Sequence, residues 1–141
     1  MSEHGSWGFT IRLETDPHVI QAVRKVIAAA ARIGGARDAD ARLIELSVGE
    51  ALASARFHAY HSGVGPIEAT VRQDGETFSV TIQNEGKPVT RGSQVPDTLE
   101  PPESQGWGLY LLGQIMDEVE ITRSTLDDRG TAIRMSKRLT A

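Results

Sequence analysis

Residues 66–86 read PIEATVRQDGETFSVTIQNEG. Ile67, Ala69 and Val71 alternate with polar residues, Asp74-Gly75 interrupts the run, and Phe78, Val80 and Ile82 alternate again. A two-residue period belongs to a strand with one buried face, and Asp-Gly between two such runs signals a tight turn. The stretch therefore predicts an antiparallel hairpin. Its one-sided apolar character requires a second layer, which the flanking sequence has to provide.

Upstream, Phe9, Ile11 and Leu13 alternate with Thr10, Arg12 and Glu14, which predicts a first strand over 9–14. Asp16-Pro17 is a helix cap followed by proline at the first helical position, and Val19, Ile20, Val23, Val26, Ile27 and Ala30 recur at helical spacing before Gly34-Gly35. A helix over 17–33 follows. Asp38 is placed to cap a second helix, expected to be the longest element. In it Leu43, Ile44, Leu46, Val48, Leu52 and Phe57 form a broad apolar arc, and Ser62-Gly63 marks its end.

Downstream, 84–105 has no periodicity and contains Gly86, Pro88, Gly92, Pro96, Pro101 and Pro102. Long irregular segments in compact domains usually carry function. Gly106-Trp107-Gly108 opens a helix carrying Leu109, Leu112, Ile115 and Met116, and strands follow over 118–124 and 131–139 across a turn at 127–130. The order is β-α-α-β-β-loop-α-β-β. It predicts one α+β domain over 1–141, a two-layer sandwich whose mixed, mostly antiparallel sheet carries its helices on one face.

With 141 residues, 39% hydrophobic and 24% charged, the chain has the size of one core that folds without disulfides or a structural metal. It contains no cysteine, which excludes thiolate zinc sites and cysteine nucleophiles. A net charge of −4 argues against a fold-wide nucleic-acid surface. The N-terminal residues lack a signal-peptide pattern and no apolar run suffices to span a membrane. These features lead to the expectation of a cytoplasmic protein with no direct nucleic-acid or membrane contact.

Four short signals stand in order. Glu50 and Ser54 are four apart, hence on one helix face, within an Ala-rich and nearly uncharged stretch that suits a pocket wall. Asn84-Glu85-Gly86 ends the hairpin. Gly106-x-Gly108 sits where a loop meets a helix N-terminus, where free backbone N–H groups and the helix dipole favour a phosphate. Gly130-Thr131 opens the last strand. Taken singly, each is ordinary turn or surface chemistry; their order is what carries information.

On these residues the chain resembles the anti-sigma factor serine/threonine kinases, which share the ATP-binding fold of gyrase, heat-shock chaperone and histidine-kinase catalytic domains (the GHKL ATPase fold). The resemblance covers nearly the whole chain. The family's Glu-Ala-x-x-Asn-Ala helix is matched by Glu50-Ala51 and Ala55, with His58-Ala59-Tyr60 after it. Its Asp-x-Gly is matched by Asn84-Glu85-Gly86, its Gly-x-Gly-Leu helix by Gly106-Trp107-Gly108-Leu109, and its closing Gly-Thr by Gly130-Thr131. The resemblance implies ATP and Mg²⁺ as ligands and Glu50 as general base toward a serine on a partner protein. Ser54, His58, Asn84, Gly86, Gly106, Trp107, Gly108, Leu109 and Thr131 would line the nucleotide site. It also implies a sigma factor and an anti-sigma antagonist as partners, and a homodimer formed near the first strand and first helix.

Two positions depart from the family. Ser54 replaces the asparagine that orients Mg²⁺, and its shorter side chain is expected to reach the ion only weakly or through water. Asn84 replaces the aspartate that binds the adenine amino group, a loss of about 1–2 kcal/mol. An amide also offers a donor to a guanine carbonyl, which loosens discrimination between bases. A second reading follows, a protein-binding module of the same fold with weakened or lost catalysis and optional nucleotide; the catalytic half of a split histidine kinase is a third. His58 and His61 are spaced for a metal but have no evident third ligand. Trp107 stands either to stack on a ligand or to pack, and Trp7 either to pack or to meet a partner.

Overall fold

The structure, a computed structural model, describes residues 5–56, 60, 64–85, 107–126 and 130–139, the side chains of 107–109 excepted. In chain order the elements are β1 (Ser6–Glu14), α1 (Pro17–Ile33), α2 (Asp38–Ser54), β2 (Pro66–Asp74), β3 (Thr77–Asn84), α3 (Trp107–Ile115), β4 (Glu118–Arg123) and β5 (Thr131–Arg138). The five strands form one sheet in the order β1-β2-β3-β5-β4, with every pairing antiparallel. This is the predicted α+β architecture and element order. Of the segment expected over 84–105, Asn84 instead ends β3 and Glu85 follows it, while 86–105 lies outside the described residues, as do the end of the second helix at Ser62-Gly63 and the turn at 127–129.

Register explains the two layers. Phe9, Val71, Val80, Met135 and Val119 form one cross-strand row, and Ile11, Ala69, Ile82, Ile133 and Ile121 the next. Both rows join the core with Ile27, Ile44, Val48 and Leu52 of the helices. Between them, on the other face, runs the polar row Thr10, Thr70, Thr81, Arg134 and Glu120. Cross-strand partners share a face, so one side of the sheet takes the helices and the other faces water. Each fully buried aliphatic or aromatic residue of the core, Phe78 and Ile27 among them, contributes roughly 1.5–3 kcal/mol.

Local chemistry sets the boundaries. Asp16 caps α1 as expected, its carboxylate accepting from the backbone N–H of His18 at 2.8 Å and of Val19 at 3.4 Å. Gly75 at φ +58° makes the hairpin turn. β1 starts three residues earlier than its alternation predicts, because Gly8 interrupts the pattern while still fitting under the Val71 carbonyl. Trp7, thereby placed in the strand, packs against the core.

Two sequence expectations are corrected. The residue before α2 is Arg37, which makes no side-chain capping bond; Asp38 is instead the first helical residue, its carboxylate near the positive end of the helix dipole with that of Asp40. Helix α2 has 17 residues over Asp38–Ser54, as many as α1, and its expected end lies outside the described residues. Leu43 and Leu46, placed on the apolar arc, are 39% and 41% exposed, and Val19 and Val26 of α1 are 38% and 48% exposed. The arcs are wider than the strip of each helix that a single sheet can cover.

Helix α2 lies between α1 and α3, above β3, while α3 adjoins β4. Arg24 of α1 pairs with Glu45 of α2 at 3.7 Å and lies against Gly49, which marks the α1 side of α2. At 3.6 residues per turn, Ser47, Glu50 and Ser54 fall on the opposite flank, toward α3. Among the described residues no helix is long and apolar enough to cross a membrane.

Candidate functional site

Of the predicted site residues that the structure describes, Asn84 and Thr131 meet at one end of the sheet. Asn84 is the last residue of β3, paired with Ile67 of β2, and is only 2% exposed. Its Oδ1 accepts a hydrogen bond from the backbone N–H of Thr131, the first residue of β5, at 3.2 Å. Two signals separated by 47 residues are thus in direct contact.

Gly130 makes that contact possible. A Cβ at this position would stand 1.9 Å from the Asn84 carbonyl oxygen, so any side chain forces the two backbones apart. Glycine here serves close approach, since its backbone is otherwise unremarkable in sign of φ.

Tyr60, just beyond α2, ties the helix exit to the same place. Its hydroxyl donates to the Pro66 carbonyl at 2.6 Å and accepts from the backbone N–H of Glu85 at 2.8 Å. The ring lies against Gly65. Gly65 in turn exchanges bonds with Thr15, its N–H donating to Thr15 Oγ1 at 2.9 Å and its carbonyl accepting from Thr15 N–H at 3.0 Å. The ends of β1, β2, β3 and α2 are therefore fastened beside Asn84. Sequence reading quoted Tyr60 within a matching motif but assigned it no role; a tyrosine followed by Gly65-Pro66 at a strand start was the available signal.

Glu50 and Ser54 share the flank of α2 away from α1, as their spacing predicted, and both are half-buried. Ser54 Oγ is sealed from solvent and has no hydrogen-bond partner among the described residues, and the same holds for Ser47 Oγ one turn before Glu50. A hydroxyl buried in this way is costly unless a ligand or water completes it. An unpaired hydroxyl of this kind suits a polar ligand or an ordered water. Backbone of Trp107, Gly108 and Leu109 opens α3, with their side chains outside the described set. His58, Gly86 and Gly106 also lie outside it, as does His61.

A hollow of about 570 Å³ opens at the same end of the sheet, lined in part by Arg12, Glu14, Glu68, Glu85 and Leu126. Arg12 and Glu68 bridge across it at 3.2 Å on the polar face. Among the described residues no predicted site residue lines it, although its wall includes Leu13 and Ile67 of the cross-strand row that ends in Asn84.

Replacing Tyr60 by phenylalanine strands the Glu85 N–H and should lower unfolding free energy by about 1–3 kcal/mol. Gly130→Ala should cost about 2–3 kcal/mol through forced separation of β3 and β5. Urea denaturation followed by circular dichroism measures both; wild-type midpoints in both variants would contradict this account of the site's frame.

No curated protein matches the chain. A family model described as the histidine kinase-like ATPase domain matches residues 13–137, from the end of β1 into β5. That span takes in Glu50, Ser54, Asn84 and Thr131, on a five-stranded antiparallel sheet with helices on one face. The chain belongs to the histidine kinase-like ATPase domain family, whose fold implies the binding of ATP.

Proposed function

We propose that this chain is an ATP-binding regulatory serine kinase of the anti-sigma type. It holds a sigma factor and exchanges it for an antagonist protein that it phosphorylates, working in the cytoplasm through protein contacts rather than by touching nucleic acid or membrane. The observation that carries the reading is the sealed, unpartnered Ser54 hydroxyl on the Glu50 flank of α2. Family membership and the Asn84–Thr131 contact support it.

When bound, ATP with Mg²⁺ supplies the phosphoryl group and the cation that offsets its charge. Glu50 accepts the proton of the antagonist's serine hydroxyl as that oxygen bonds to phosphorus and the bond to the ADP leaving group breaks. Ser54 would contribute to holding the cation, as a weak ligand or through water. The backbone N–H groups that open α3 at Trp107 would receive the phosphates, with Gly106, outside the described residues, carried over from the resemblance. His58 and Gly86, which lie outside the described residues, are assigned to the nucleotide site by the resemblance alone. A second reading, a binding module with reduced catalysis, is favoured by the same two substitutions, since Ser54 is a short metal ligand and Asn84 Oδ1 is already engaged by Thr131.

The homodimer uses β1, the edge strand, and the neighbouring flank of α1. Val19, Ala22, Val26, Ala29 and Ile33 are all exposed and fall at spacings of three and four, an apolar stripe on the side of α1 away from α2. A second copy is its occupant, because that stripe continues an open sheet edge.

Two sets of measurements test this. Glu50→Gln should retain Mg-nucleotide binding in calorimetry yet lose at least about 100-fold in labelled phosphate transfer to an antagonist, whereas Ser54→Asn should bind about fivefold tighter. Equal transfer by wild type and Glu50→Gln would contradict the kinase reading. For the dimer, light scattering should give twice the 15.3 kDa chain mass for wild type and the chain mass for Val26→Glu; a monomeric wild type contradicts it.

A further inference from the structure

We propose that Asn84 makes the base site selective for a 6-oxopurine, guanine or hypoxanthine, over adenine. This rests on the nucleotide-binding reading above and changes its preferred phosphoryl donor from ATP to a 6-oxopurine triphosphate.

The argument begins with the amide's orientation. The Thr131 backbone N–H is a donor on a residue 2% exposed, and at 3.2 Å it needs an acceptor from Asn84. Rotating the amide by half a turn would set Nδ2–H against N–H and leave a buried donor unmade. Oδ1 is therefore committed to β5, and Gly130, pressed on the Asn84 backbone, keeps the two strands at that distance.

What remains of the side chain is Nδ2, a donor only. Asn84 makes no other hydrogen bond among the described residues, and Nδ2 is not one of the sealed polar atoms as Ser54 Oγ is. A side chain 98% buried that ends in an unused donor is completed by an acceptor.

A carboxylate at this position would behave in the opposite way. One oxygen would take the Thr131 N–H and the other would accept from an exocyclic amino group. With the amide, adenine's 6-amino group meets a second NH₂, and neither donor finds an acceptor. A 6-oxopurine in the same pose sets a carbonyl oxygen on Nδ2. A site that offers a hydrogen-bonding group discriminates strongly against a ligand that leaves it unpaired.

The test is calorimetric titration of the full chain and of Asn84→Asp with GTP, inosine triphosphate and ATP, each with Mg²⁺. Wild type should bind GTP and inosine triphosphate about tenfold or more tightly than ATP, and Asn84→Asp should reverse the order. Inosine triphosphate keeps the 6-oxo group and lacks the 2-amino group, so weak binding of it beside tight GTP overturns the proposal. ATP binding as tightly as both by wild type, or an unchanged order in Asn84→Asp, overturns it while nucleotide binding stands. Failure of all three nucleotides to bind either protein removes the nucleotide reading as well.

Discussion

The site depends on one close approach, that of the Gly130 backbone to the Asn84 carbonyl. It brings the Thr131 N–H onto the Asn84 amide and so joins the end of β3 to the start of β5. Without it the two strands would splay where the sheet meets the helices. The second fastening, through the Tyr60 hydroxyl, brings in the exit of α2 and fixes Glu85. Both devices use backbone groups at strand ends, which are the groups that regular pairing leaves unsatisfied.

The rest of the fold is arranged to leave that end open for chemistry. A five-stranded sheet with one polar face needs helices on the other face alone, and the three described helices lie side by side there. Glu50 and Ser54 occupy the α2 flank that faces away from α1, where buried hydroxyls remain unpaired. Unpaired polar groups lower stability, and a ligand that completes them regains it on binding. The same one-sided layering explains the exposed valines of α1 at the opposite boundary, beside the edge strand.

Much of this was legible in the sequence because periodicity reports burial. The Ile67–Val71 and Phe78–Ile82 alternations point to the hairpin, and Asp16-Pro17 to the start of α1, while the pairing register comes from the structure. Periodicity also misled where burial is graded. Val26 and Leu46 fit an apolar arc, but a helix resting on a sheet has flanks that nothing covers. Asp38 was read as a cap because capping is judged from residue type, whereas the chain enters α2 one residue earlier, at Arg37, with no side-chain bond. The proximity of Asn84 to Thr131 was implied by motif order, yet the direction of the hydrogen bond was not. That direction depends on a backbone donor placed by Gly130, a property of strand pairing rather than of either residue.

The most direct measurement is nitrogen-resolved nuclear magnetic resonance during titration with a magnesium purine nucleoside triphosphate, reading the Thr131 backbone amide and the Asn84 side-chain NH₂. The account predicts saturable shifts at both signals. Shifts confined to the polar-face hollow beside Arg12 and Glu68, with Asn84 and Thr131 unmoved, would contradict it.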